Sequence, residues 1–237
     1  MSEYLDELET ERTMKDQFMA RHAESPFVQA SMYDFQGLLY FPPDEKYRIP
    51  ASLERLKEPK EAFLRTNRDG QAAMRWLGDL RFTLGGRALR LRVYHAGEGV
   101  GTSVFIPFRD GTSGRESYGP GRYLTLELSE SDTYELDFNR AFNPYCAYTD
   151  TFECGFPPAE NDLPIPIRAG EKVWSAERNP RTPSSAVIAL LPPRPAAKKL
   201  PAKAPAAPKA KRAPPKRRTT ARRASPPAKK PARKGRR

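Results

Sequence analysis

The spacing of apolar and polar positions changes once along the chain, from helical spacing at the start to strand-like alternation after Gly37. Residues 2–22 are predicted helical. Ser2 stands where a cap belongs, Glu3, Asp6 and Glu7 favour the positive end of a helix, and Lys15 and Arg21 lie toward its negative end. Leu5, Leu8, Phe18 and Met19 make a broken apolar stripe, which suits a helix packed on a surface. Pro26, following Ser25, discourages its continuation.

Shorter periods follow. Leu38-Leu39-Tyr40-Phe41 is a compact apolar run closed by Pro42-Pro43, and Tyr47-Arg48-Ile49 precedes Pro50. Residues 61–66 and 71–77 flank Asn67-Arg68-Asp69-Gly70, which reads as a hairpin turn. Leu80-Arg81-Phe82-Thr83-Leu84 meets Gly85-Gly86, and residues 88–94 then alternate apolar with basic, as a half-buried antiparallel strand does. Residues 103–107, 122–128 and 133–138 supply further short strands. About seven strands at this spacing predict a mainly β fold: an antiparallel β-sandwich or barrel with an N-terminal helix and a disordered basic C-terminal tail. Beyond Phe138 the periodicity is lost, yet aromatic residues and isoleucines persist, so this stretch is expected to wrap the sheet as an ordered loop.

Composition divides the 237 residues sharply. Residues 192–237 hold 18 of the 41 Lys and Arg and none of the 29 Asp and Glu, which leaves residues 1–191 with a net charge of −6. Eleven Pro and 12 Ala fill most of the rest of that tail, a composition that cannot bury a core and predicts disorder. The expected organisation is a helical segment at 1–30, a β-rich module at 31–175, a linker at 176–191 and the tail at 192–237. No apolar run approaches the roughly 20 residues of a membrane-spanning helix. The acidic start lacks the basic flank and apolar stretch of a secretory signal, and two cysteines are too few for a disulfide scaffold. A cytoplasmic, reducing compartment is the expectation.

Several stretches together resemble a known family. They are Gly37-Leu38-Leu39-Tyr40-Phe41-Pro42, Pro107-Phe108-Arg109-Asp110-Gly111-Thr112-Ser113-Gly114, Tyr118-Gly119-Pro120-Gly121-Arg122-Tyr123-Leu124, the run from Asp137 to Tyr148, Pro157-Pro158-Ala159-Glu160-Asn161-Asp162-Leu163-Pro164, and Arg168-Ala169-Gly170-Glu171-Lys172. In this order they resemble the bacterial domain-of-unknown-function family 1684, over roughly residues 10–175. Gly111 stands where that family usually has another small residue. The resemblance implies a module and no activity. The tail lies outside it and is similar in composition to the tails of linker histones and bacterial histone-like proteins.

Polar side chains are dense in these motifs. Arg109, Asp110, Ser113, Tyr118, Arg122, Asp137, Asn139, Arg140 and Asn143 all fall at predicted strand ends or in loops. If the loops meet at one mouth of a barrel, their guanidiniums form a pocket for a small anionic ligand, with Asp137 or Asp110 orienting an arginine or serving as a base. Alternatively, the same Arg–Asp pairs and Asn side chains pin irregular loops by satisfying buried backbone groups. Glycines 114, 119 and 121 read as turn residues, since no Gly-rich loop leads into a helix.

Cys146 and Cys154 are separated by seven residues, outside metal and redox-motif spacing, and only His22 and His95 could add imidazole ligands. No metal or cofactor is implied. A Ser113/His95/Asp110 triad lacks a nucleophile elbow. The thiols read as ordinary loop cysteines able to pair under oxidation.

The tail carries the clearest functional signal. Its cations are clustered at Lys198, Lys199, Lys209, Lys211, Arg212, Lys216, Arg217, Arg218, Arg222, Arg223, Lys229, Lys230, Arg233, Lys234, Arg236 and Arg237, spaced by Ala and Pro, and no aromatic residue stands among them for base stacking. Non-sequence-specific binding to nucleic acid, DNA foremost, is expected, with nucleoid association as its corollary. RNA, an anionic membrane surface and the acidic body are the competing partners. Two functions follow: a β-module tethered to nucleic acid by its tail, or a small-molecule-binding protein or enzyme acting through the Arg/Asp/Asn loops.

Overall fold

The computed structural model describes residues 3–32, 35–95 and 103–175. Ser2, the expected linker at 176–191 and the tail at 192–237 lie outside the described residues.

The chain is mainly β. Helix α1 (Glu3–Arg21) and a short α2 (Pro26–Gln29) precede strands β1 (Arg48–Arg65), β2 (Gln71–Leu84), β3 (Arg87–His95), β4 (Ser103–Phe108), β5 (Arg122–Glu127) and β6 (Thr133–Asp137). The six strands form one antiparallel sheet in the order β5-β4-β3-β2-β1-β6. The sheet curls into a nearly closed barrel. Its two ends are joined through Tyr123 and Phe142, just past β6, whose backbones exchange hydrogen bonds of 2.8 and 2.9 Å.

Alternation supplies the interior. Ile49, Ala51 and Leu53 on β1, Leu80, Phe82 and Leu84 on β2, Leu91 and Val93 on β3, and Val104, Ile106 and Phe108 on β4 are all buried. Leu124 and Leu136 complete this core from β5 and β6, with Phe138, Leu163 and Ile167 from the following loop. Each inward residue is two positions from the next, as a strand with one buried face requires.

Two differences from the sequence expectation have one cause. Tyr47-Arg48-Ile49 and residues 61–66 are not separate strands: they bracket one strand of 18 residues. Likewise 71–77 and 80–84 merge into β2, giving six strands rather than seven. Pro59 and Gly78 lie inside these strands, and the register slips between Arg55 and Lys60 and between Trp76 and Gly78. Such bulges absorb a residue without ending a strand. Beyond Glu61 and Arg75 the two strands run on as a two-stranded ribbon, because β6 pairs with β1 only through Ser52 and β3 pairs with β2 only as far as Arg75.

The helices cover a second core. Tyr4, Leu8, Arg12 and Met19 are the buried face of α1, rather than the stripe through Leu5 and Phe18. Ser25 does not merely precede a stop. Its hydroxyl caps α2, where Pro26 takes the first-turn position that its missing N–H suits. Phe27 then stacks within about 5 Å of Phe35, Tyr148 and Trp174. As expected, residues 138–175 wrap the sheet irregularly, with turns at Tyr145–Ala147 and Ala159–Asn161. Asn161 substitutes for a missing strand where β3 and β4 diverge: its side chain accepts from Arg92 N–H at 2.7 Å and donates to the carbonyls of Arg92 and Pro107.

Candidate functional site

Arg122 opens β5 and is fully buried. Its Nη2 donates to Asp110 Oδ2 and to the Ile167 carbonyl, both at 2.9 Å, and its Nη1 donates to the carbonyls of Ala169 and Glu171. The guanidinium carbon stands 5.3 Å from the Phe108 ring centre. Burial pushes the Arg122 pKa down, and Asp110 opposes that shift. Asp110 uses its other oxygen to accept from the N–H groups of Thr112, at 2.7 Å, and Ile167, at 3.1 Å. The planar fork thus ties the Asp110 turn to the strap at 167–171, leaving Nε without a partner.

That strap continues into a second buried carboxylate. Glu171 Oε2 accepts from the Tyr148 hydroxyl at 2.6 Å and the Asn143 N–H at 2.9 Å, while Lys15 Nζ lies 2.5 Å from Oε1. Asn143 also donates from Nδ2 to the Lys172 carbonyl. Burial, reinforced by Glu171, pushes the Tyr148 pKa well up.

Asp137, Asn139 and Arg140 belong to another network, which fastens α1. Tyr4 donates its hydroxyl to Asp137 Oδ2 at 2.9 Å. Asn139 caps against Asp137 Oδ1 and exchanges two 3.0 Å hydrogen bonds with the Asp44 backbone. Arg140 reaches Glu11 at 2.8 Å, Glu7 at 3.1 Å and Asp137 at 3.4 Å. Its pKa is raised, chiefly by hydrogen bonding to Glu11.

The remaining candidates are local. Arg109, about half exposed, lies 3.7 Å from Asp162. Ser113 Oγ accepts from the Asp110 N–H at 3.1 Å. Tyr118 donates to the Cys146 carbonyl at 3.4 Å, and its hydroxyl lies 3.7 Å from that residue's sulfur.

The nine candidates therefore do not share one set of contacts. Asp110, Arg122 and, through Glu171, Asn143 form one network, whereas Asp137, Asn139 and Arg140 form a second with no partner in common among the described residues. None of the nine lines the surface grooves beside Phe82 and Leu89, along Phe63 and Met74, or beside Tyr47 and Pro166. Among the described residues, no three of His, Cys, Asp and Glu are grouped as a metal site would require. Sequence reasoning passed over Glu171, Lys15 and Asn161. Glu171 stood in a motif already singled out, but a lone glutamate beside a lysine gives no local sign of burial.

The geometry gives these conspicuous motifs partners far apart along the chain within one module, and comparison with known proteins agrees. The family described as protein of unknown function, DUF1684, matches residues 33–172. The chain belongs to that family. The DUF1684 match includes the whole barrel and the strap, while α1 lies outside it. Among solved structures, the DUF1684 chain is similar to the solution NMR structure of the uncharacterized protein from gene locus rrnAC0354 of Haloarcula marismortui. The two are 38% identical with a TM-score of 0.58, covering 71% of this chain and 94% of that one. No curated protein matches.

Proposed function

We propose that this protein is a DUF1684 barrel held on nucleic acid, DNA foremost, by its C-terminal tail, without sequence preference and with nucleoid association as the result. One observation carries this reading: 18 cationic and no acidic residues in 192–237, beside a body of net charge −6. Opposite signs on the two parts assign phosphate attraction to the tail, since the body repels a polyanion. The loop residues favour a small anionic ligand less, because four of the five N–H donors of Arg122 already serve Asp110 and the strap. Among the described residues, no helix is long and apolar enough to cross a membrane.

Titrating DNA and RNA with the full chain and with a 1–191 truncation, at several salt concentrations, tests the proposal. Full-length protein is expected to bind both, with a log–log salt slope of about −0.9 per phosphate neutralised on duplex DNA. The truncation is expected not to bind. Equal binding by both forms would move the site into the barrel, and binding by neither would end the tether reading.

A further inference from the structure

Arg12 is a charged residue on the buried face of α1, with only 7% of its side chain exposed. A charge taken this far out of water must be paired and hydrogen-bonded, or its burial is costly. For Arg12 that pairing is incomplete. Nη1 donates to Glu9 Oε1 at 3.2 Å, and the Glu9 side chain is itself 48% exposed. Nε and Nη2 are both buried, and among the described residues neither has a hydrogen-bond partner. The guanidinium carbon stands 4.5 Å from the Tyr40 ring centre, but stacking uses the face of the group and leaves its edge unserved.

The free edge is the side-on one. In a guanidinium, Nε–H and one N–H of Nη2 point the same way, and together they match two oxygens of a carboxylate or a phosphate. The floor beneath is fixed. Tyr40 and Glu171 form an antiparallel bridge, flanked by Phe41 N–H donating to the Gly170 carbonyl at 2.9 Å and Lys172 N–H donating to that of Leu39 at 2.8 Å. Glu171, the buried carboxylate of that floor, is already engaged by Lys15, Tyr148 and Asn143. On the helix itself, Glu7 and Glu11 turn to Arg140, and Asp16 accepts from the Leu38 N–H at 3.0 Å. With its face on Tyr40 and Nη1 on Glu9, the Arg12 fork is held in one orientation before any partner arrives.

We propose that the seam between α1 and residues 39–41 binds one small oxyanion, a phosphate or a carboxylate group, in the Nε/Nη2 fork of Arg12. The anion completes the pairing that Glu9 begins and accepts two charge-assisted hydrogen bonds. Lys15, three residues along the same helix, offsets the repulsion that Glu171 would otherwise exert on it. Both fork nitrogens are closed to solvent with α1 docked, so the anion enters as the helix docks and is then held between helix and module. Attachment of α1, which lies outside the family match, thereby becomes anion-dependent. The site takes a single small group rather than a polyanion, and it owes nothing to the tail.

The test titrates full-length protein with sodium phosphate and, separately, with sodium acetate, at an ionic strength fixed by sodium chloride. Once the site is saturated, the wild-type melting temperature is expected to rise by about 3–5 °C for each further tenfold increase in anion. Amide exchange across Glu3–Arg21 should slow in parallel. Arg12→Met keeps the whole tail and should lose the response, which separates the site from phosphate gathered by the tail. Arg12→Lys, a point charge without the fork, should need about tenfold more anion. A response to phosphate alone identifies a phosphoryl group, and a response to both anions identifies any small oxyanion. The Arg12 Nε–H resonance of the wild type reads occupancy whether or not the variants fold, and it should shift as anion is added. A melting temperature and a resonance unmoved by both anions would assign the free nitrogens to water and overturn the proposal, as would an equal response in Arg12→Met.

Discussion

Arg122 Nη2 and Asp110 Oδ2 are 2.9 Å apart, and neither side chain is more than 1% exposed. A pair this deep matters less for its own attraction than for what its loss leaves behind. Arg122→Met strands the Asp110 carboxylate and removes the donors to Ile167, Ala169 and Glu171, so a loss of about 3–5 kcal/mol is expected. Arg122→Lys also falls short, because an ammonium cannot reproduce the planar fork. Combining Arg122→Met with Asp110→Asn should cost less than the sum of the single changes. Urea unfolding with matched slopes measures all four. An Arg122→Met loss within 1 kcal/mol would mean that the strap is held by other contacts.

The attachment of α1 offers a contrast between charge and burial. The Arg140 side chain is 35% exposed, so Arg140→Ala is expected to cost no more than about 1 kcal/mol despite its three carboxylate neighbours. Tyr4→Phe deletes a buried hydrogen bond to a carboxylate and should cost about 1.5–3 kcal/mol. Faster amide exchange across Glu3–Arg21 should accompany the second change and not the first. The opposite ranking would show that surface charge holds the helix.

Alkali should weaken the fold before it reaches the arginines. Tyr4, Tyr118, Tyr123 and Tyr148 are all pushed above their ordinary value near 10, first by burial. A raised folded-state pKa stabilises the fold fully below pH 10, and that contribution disappears as pH climbs toward the folded values. The melting temperature should therefore be insensitive to these tyrosines at neutral pH and fall above pH 10. Phenolate absorbance should rise with unfolding and not ahead of it. On the acid side, hydrogen bonding to Arg168 and to Lys46 holds Glu116 and Asp44 low, with the opposite sign. Both are only partly buried and their partners are solvent-facing, so little should be lost there as pH falls.

Gly170 and Gly85 separate conformation from close approach. Both have positive φ, +72° and +58°. A Cβ at Gly170 would stand 2.5 Å from the Ala141 carbonyl oxygen, whereas one at Gly85 would meet nothing within 4 Å. Gly85→Ala should cost about 1–2 kcal/mol, for the left-handed backbone alone. Gly170→Ala adds the displacement of backbone and should cost visibly more by thermal unfolding. Similar losses at the two sites would mean that the strap shifts freely.

What the sequence revealed follows from the range of each interaction. Asn67-Arg68-Asp69-Gly70 and the alternation through Leu89, Leu91 and Val93 are local signals, and the turn and β3 appear where those signals predict. Pro59 hid the continuity of β1, because its missing donor falls inside a register slip that the pattern cannot show. Arg12 sits on the buried face of α1, stacked 4.5 Å above the Tyr40 ring, a position that period counting gives to an apolar residue. Arg122 reads locally as one more strand-end cation, since its carbonyl partners lie 45–49 residues further on. The loop at Cys154 is held by Asn67, which belongs to a hairpin 87 residues earlier.

Hairpin tips are normally where a chain accepts foreign sequence most readily. The ribbon tip at 66–70 is an exception, being laced to residues 150–156 through Thr66, Asn67 and Arg68. Extra residues there would unthread the loop that carries Cys154. The turn at Gly85-Gly86 has no such entanglement, because its glycines face open space. A fluorescent reporter or an affinity tag spliced between those two glycines is expected to leave the barrel closed, and the same splice beside Asp69 to open it.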